Sequence, residues 1–308
     1  MKATKAVGIV LLGAVVLAAI GGCKAKESTG QNKPDAGPAS KPALVENVGT
    51  PPATLPLPPS DNTSAKQLTL DLGNKVTMKL VLIPSGKFMM GSPKDEKVHK
   101  ENQSQQHEVI LSKPFYMGIY DVTQEQYEQI MGKNPSYFKG AQNPVERVTW
   151  DEAVEFCKKV SQKTGKTVSV PSESLWEYAC RAGSKARFSY GNDYDKLGDY
   201  AWYGKNSQGK THPVGQKKPN AWGLYDMHGN VSQWCSDCYT GDFSNAIKTD
   251  PTGPDSGEFR VLRGGSWVIN DPWFCCSACR LWYGPDYRSV VGNNMGFRVV
   301  AAGAAGVD

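Results

Sequence analysis

Histidine is scarce in this chain: only four occur in 308 residues, at 99, 107, 212 and 228. None stands at His-x-x-x-His or His–carboxylate spacing, so a histidine-built metal centre has no support. No P-loop, Ser-His-Asp arrangement or paired-carboxylate motif can be traced either. The net charge is only +5, with no basic helix or basic-aromatic stripe, which argues against nucleic acid as a partner. The N-terminal apolar run, Ala6 to Ile20, is shorter than the about 20 residues a spanning helix needs. No internal repeat period is evident.

What is present divides into three parts. Lys2 and Lys5 precede the apolar run, which ends in Ile20-Gly21-Gly22-Cys23. That is the layout of an export signal, and its end looks like the lipobox of bacterial lipoproteins. Residues 1–23 are therefore expected to be a signal peptide with Cys23 lipidated, anchoring the protein to an extracytoplasmic membrane face of the bacterial envelope without spanning it. Residues 24–64 hold eight of the twenty prolines and few large apolar groups. Such a stretch cannot bury enough surface to offset ordering, and it reads as a tether. Residues 65–304 are rich in aromatics, glycine and Pro-Asn or Gly-Asn turns, the mixture of an irregular α+β domain, read as monomeric.

Within that domain Val76–Ile83 alternates and then runs apolar, predicting a strand, with a second over 87–92. Thr123-x-x-Gln126 and Thr149-x-x-Glu152 are capping boxes that open two helices. The second carries Ala153, Phe156, Cys157 and Val160 on one face. A third helix starts at Ser172, with Leu175, Trp176 and Ala179 facing inward.

Six segments then line up in order. They are Ile83–Ser92, Phe115–Thr123, Pro144–Ala153, Val170–Tyr178, Asn220–Asn230, and the pair Arg263-Gly-Gly-Ser-Trp267 with Gly296-Phe-Arg298. Together they resemble the sulfatase-modifying-factor family, whose founding member is the formylglycine-generating enzyme. The resemblance implies a variant of the C-type-lectin-like fold with little regular secondary structure. The family's enzyme oxidises a peptidyl cysteine of sulfatases, using two thiols five residues apart that hold copper(I), a soft ion suited to thiolates. Counted from Gly264-Gly-Ser266, those thiols fall on Ile269 and Phe274, and one inserted residue moves the second onto Cys275. Ser266 matches the family's active-site serine. A catalytic reading thus rests on Ser266, Cys275 and Cys276 with copper, whereas the missing first thiol favours a binding or scaffold role with an envelope peptide or protein as partner.

The resemblance also implies a Cys180–Cys279 bridge and suggests Cys235–Cys275, with Cys238–Cys276 as a second rung and Cys157 left free. Cys235-x-x-Cys238 alone remains open to a disulfide, a zinc site or a reactive dithiol. By the same resemblance Asp226, Gly229, Val231 and Gln233 form a calcium loop, oxygen ligands suiting a hard cation. Trp273, Trp282 and Tyr283, beside the loops 188–207 and 239–258, are the expected walls of a partner cleft.

Overall fold

The computed structural model describes residues 67–93, 105–241, 248–287 and 293–303. The expected signal peptide, Cys23, the tether and part of the 239–258 loop lie outside the described residues.

The first two strands make a hairpin, β1 (Gln67–Gly73) and β2 (Val76–Ile83), paired antiparallel. Period-two patterning puts Leu70, Leu72, Met78 and Leu80 on one buried face. The sheet continues through β5 (Phe115–Gly118), β11 (Val300–Ala302) and β6 (Val168–Ser169), in the order β1-β2-β5-β11-β6. A separate ribbon joins β3 (Gly86–Met90) to β4 (His107–Leu111).

Two helices cover the buried face of the hairpin. The helix α1 (Gln124–Met131) opens on the Thr123–Gln126 capping box and stops at Gly132 in the left-handed region. The helix α2 (Trp150–Thr164) does the same between Thr149–Glu152 and Gly165. Phe156 and Tyr127 stack at 5.6 Å between centroids, and Phe297 meets both edge-on. This is the main core, and Cys157 belongs to it on the stripe read from sequence. The helix α3 (Glu173–Arg181), capped by the Ser172 hydroxyl, places Trp176 and Ala179 in a second core, while Leu175 is half-buried. A four-residue helix α4 (Leu197–Tyr200) follows.

The last sheet has the order β10-β7-β8-β9, from β10 (Met295–Gly296), β7 (Ser232–Cys238), β8 (Arg260–Arg263) and β9 (Leu281–Tyr283). β7 is the longest of these strands and nearly all its side chains are buried, whereas β9 lies at the edge. Among the described residues the architecture is α+β with three sheets and few helical turns, as the turn-rich composition predicts.

Truncating the core should cost far more than removing a cap. Phe156→Ala is expected to lower unfolding free energy by ~3–5 kcal/mol and Thr149→Ala by ~1 kcal/mol, read from urea unfolding at constant m-value.

Candidate functional site

The segment from Arg263 to Arg280 returns from β8 over α3 and carries most of the chemistry-bearing residues. Gly265 has φ of +70°, and a Cβ there would lie 2.6 Å from the Cys275 sulfur. Only glycine lets this turn close so tightly. Cys275 is consequently shut in: its thiol packs on the Gly265-Ser266 backbone, and burial pushes it far above the usual thiol range. Ser266 is fully buried and its hydroxyl accepts from Asn294 Nδ2 at 3.1 Å. Ile269 and Phe274, which stand at the family's thiol positions, are half-buried and pack beside Trp273.

His228 lies beneath this loop. Its Nδ1 is 2.8 Å from the Cys275 carbonyl, which can only accept, so Nδ1 carries the proton. Nε2 then accepts from Ser189, 3.0 Å from its hydroxyl. Phe188 and Tyr190 present ring faces edge-on to the imidazole. Burial pulls the His228 pKa down to about 4, so the ring is neutral.

All seven described cysteines are buried thiols, and the expected bridges Cys180–Cys279, Cys235–Cys275 and Cys238–Cys276 are not formed. Cys235 packs in the core around Trp176, while Cys275, Cys276 and Cys279 pack in a third core with Phe188 and Trp273. The Cys180 sulfur lies 3.5 Å from the Ser277 hydroxyl and 3.9 Å from His228 Nε2. Cys238 faces the Gly257 backbone.

Ion pairs, not sulfur, join α3 to β8 and the cysteine loop. Glu173 accepts from Arg280 Nε at 2.5 Å and Nη2 at 2.8 Å. Glu177 is paired to Arg263 and to Arg181 at 2.8 Å, and it accepts from the Gly91 N–H at 2.9 Å. Burial opposes ionisation of Glu177, but Arg181, Arg263 and that N–H outweigh it and hold its carboxyl below the ordinary range. Arg263 also donates to the Cys279 carbonyl at 2.5 Å. Asp237 on β7 accepts from the Glu173 N–H at 2.8 Å, and burial with the nearby Glu173 charge raises it to about 7. None of these acids or arginines was singled out from sequence. The signal was there in Glu173, Glu177 and Arg181, spaced by four on one helix face.

The calcium loop takes a different form from that expected. Gly229 is needed where it stands, since a Cβ would meet the Trp202 carbonyl at 2.3 Å. Asp226 accepts from the Gly215 N–H at 2.8 Å and keeps a buried oxygen without a partner. Gln233, however, has a spent amide. Its oxygen accepts from Trp176 Nε1 at 2.7 Å and Arg298 Nε at 2.6 Å, and its nitrogen donates to the Asp226 carbonyl at 2.9 Å. Arg298 also donates to Gly118 and Tyr225 carbonyls and to Asp121. One of the two expected side-chain ligands is thus committed to Trp176 and an arginine, and the quartet Asp226, Gly229, Val231 and Gln233 does not fit calcium.

Of the expected cleft walls, Trp273 is a core residue, 1% exposed. Trp282 and Tyr283 do reach the surface, at 38% and 36%. Trp282 stacks on Tyr239 at 4.2 Å and Tyr283 on Tyr287 at 4.5 Å. Arg280 sits over the Tyr239 ring at 4.6 Å, tying this surface to the buried ion network.

Residues 70–303 match the model of the sulfatase-modifying factor enzyme 1-like domain. The chain belongs to this family. Among solved structures, this sulfatase-modifying-factor chain superposes on Treponema denticola variable protein 1 with a TM-score of 0.70 and 31% identity, covering 77% of this chain and 99% of that one. It is 32% identical over 243 residues to the chaperone protein LppX of Paenibacillus barcinonensis, across 63% of this chain and 80% of LppX. The formylglycine-generating enzyme of Mus musculus is 31% identical over 210 residues, and the match spans 63% of this chain but about half (53%) of the mouse protein. The C-type-lectin-like fold expected of the family is the fold observed.

Two measurements test the buried charges. Arg263→Met removes one of two guanidinium partners from each of Glu173 and Glu177 and should destabilise by ~3–5 kcal/mol, whereas breaking the exposed Lys87–Glu108 pair should cost under ~1 kcal/mol. His228, neutral when folded, contributes stability that is whole above about pH 6.5 and is lost as pH falls toward 4. Glu146 and Asp237, both raised to about 7, act in the opposite sense. Relative to wild type, His228→Gln should therefore remove ~2 kcal/mol of the destabilisation between pH 7 and pH 5, measured by urea unfolding at each pH.

Proposed function

We propose that this is a partner-binding module of the bacterial envelope, tethered through lipidated Cys23, and not a formylglycine-generating enzyme. The observation that carries the reading is the exposed aromatic edge: Trp282 on Tyr239 and Tyr283 on Tyr287, beside a strand with one side unpaired among the described residues. An edge strand flanked by exposed aromatic rings suits an extended peptide, which adds main-chain hydrogen bonds and packs alternate side chains against the rings. Aromatic anchors of this kind carry most of the energy of such contacts. The likeness to a relative named as a chaperone supports the same reading.

The catalytic alternative has less to stand on. Copper(I) held by two thiolates requires cysteine at both positions, and Ile269 and Phe274 supply none. Cys275 is sealed under Gly265 with its carbonyl on His228, so pairing it with Cys276 across one peptide bond would demand reopening of the loop. Among described residues no helix is long and apolar enough to cross a membrane; in this reading attachment is through Cys23.

The experiment is an array of overlapping peptides from exported proteins, probed with the secreted domain. A set of peptides should be retained and then lost at least about tenfold by the double variant Trp282→Ala, Tyr283→Ala, with unchanged melting temperature. Oxygen-dependent conversion of a cysteine-containing sulfatase peptide by the copper(I)-loaded protein would overturn the proposal.

A further inference from the structure

Arg260, on β8, is an arginine that the buried ion network leaves out. Arg181, Arg263, Arg280 and Arg298 each meet Glu173, Glu177 or Asp121. Arg260 has no carboxylate partner among the described residues, and its contacts are a ring and a backbone carbonyl. Its guanidinium lies 3.9 Å from the ring centroid of Trp150, the first residue of α2. Nη1 donates to the Ser236 carbonyl at 2.9 Å. Nε is enclosed without a partner, whereas Nη2 makes no hydrogen bond and is not enclosed.

This arginine adjoins the aromatic edge. Register sets Arg260 opposite Tyr283 on β9, so the two side chains share one face of the sheet. Tyr283 stacks on Tyr287, and the turn between them is tied to α2 by the Trp150 N–H, which donates to the Pro285 carbonyl at 3.0 Å. Arg260 is half-buried beside two tyrosines that are 36% and 40% exposed. Asp151 and Asp286 stand next to Trp150 and Pro285 in the chain, yet neither forms an ion pair with it.

The Trp150 face holds the guanidinium and restricts its rotamers, so part of the entropy of positioning it is lost before any partner arrives. Both hydrogens of Nη2 and the second on Nη1 remain unused, enough for the two oxygens of a carboxylate. A clamp between α2 and β7 accounts for the ring contact and for Nη1. It does not account for a charge left unneutralised with Nη2 to spare.

We propose that Arg260 receives an acidic side chain of the polypeptide that docks on the aromatic edge, so that the partner is an extended segment carrying Asp or Glu. This rests on the binding role given to that edge and adds the partner's chemistry: the rings take apolar side chains and the guanidinium takes one carboxylate. Trp282 and Tyr283 alternate across β9, so a segment that meets both runs along the strand and does not end at the arginine. A side chain, not a chain terminus, therefore supplies the carboxylate.

The test uses the full-length protein, immobilised, and peptide mixtures of about eight residues, the length of a strand. Both peptide ends are blocked, one position is fixed as Glu, Gln or Lys, and uncharged residues are randomised elsewhere. Mass spectrometry reads what is retained. The Glu mixture should bind at least about tenfold more tightly than the Gln mixture at low salt, with a smaller margin at high salt. Arg260→Gln should abolish that margin while the Gln mixture is held as before, and Arg260→Lys, which keeps the charge without the fork, should restore part of it. Equal retention of the Glu and Gln mixtures, both lost in Trp282→Ala, Tyr283→Ala, would overturn the acidic preference and leave the edge reading standing. Retention of no mixture would overturn both. A Glu margin that survives Arg260→Gln, or a carboxylate preference confined to peptides with free C-termini, would overturn the assignment to Arg260 and a side chain.

Discussion

The buried pairing of Glu173 and Glu177 with Arg263, Arg280 and Arg181 is the constraint on which the functional half of the molecule depends. Two carboxylates from one helix meet guanidinium groups from β8, from the end of the cysteine loop and from the helix itself. Each charge left alone in this interior would cost several kcal/mol, so none of the elements can shift independently. The network therefore fixes how the cysteine loop lies over α3. It also sets where Arg280 presents Tyr239, and through it Trp282, to solvent.

A second buried arginine organises the other side of Trp176. Arg298 reaches two backbone carbonyls, Asp121 and Gln233, and Gln233 hands the connection on to Trp176 and to the Asp226 carbonyl. Glutamine is apt there because its amide both accepts and donates, which a carboxylate cannot do. The loop from Asp226 to Gln233 is thus held by protein groups. Close approach at Gly229 and Gly265 lets both loops nest where any side chain would collide.

The same geometry separates enclosed polar groups from exposed aromatic ones. Sulfur, imidazole and hydroxyl groups at Cys275, His228 and Ser266 are enclosed, whereas the aromatic pairs of the edge strand reach solvent. The frame of the family is retained with Ile269 and Phe274 at the positions that the resemblance assigns to thiols.

Local rules were sufficient for much of the fold. The boxes at Thr123 and Thr149, the cap at Ser172, the alternation of β2 and the stripe with Phe156 and Cys157 are all settled by contacts within a few residues, and each is legible in the chain. So are the family frame and the missing thiols, because both depend on which residue stands at a position. Neighbours distant in sequence decided the rest. Gln233 is committed to an arginine 65 residues on, Trp273 was drawn into a core by Phe188, and Cys279 is packed in that same core. Spacing reports what a side chain is able to do, whereas burial and competing partners, set only when the sheets and loops close, determine what it does.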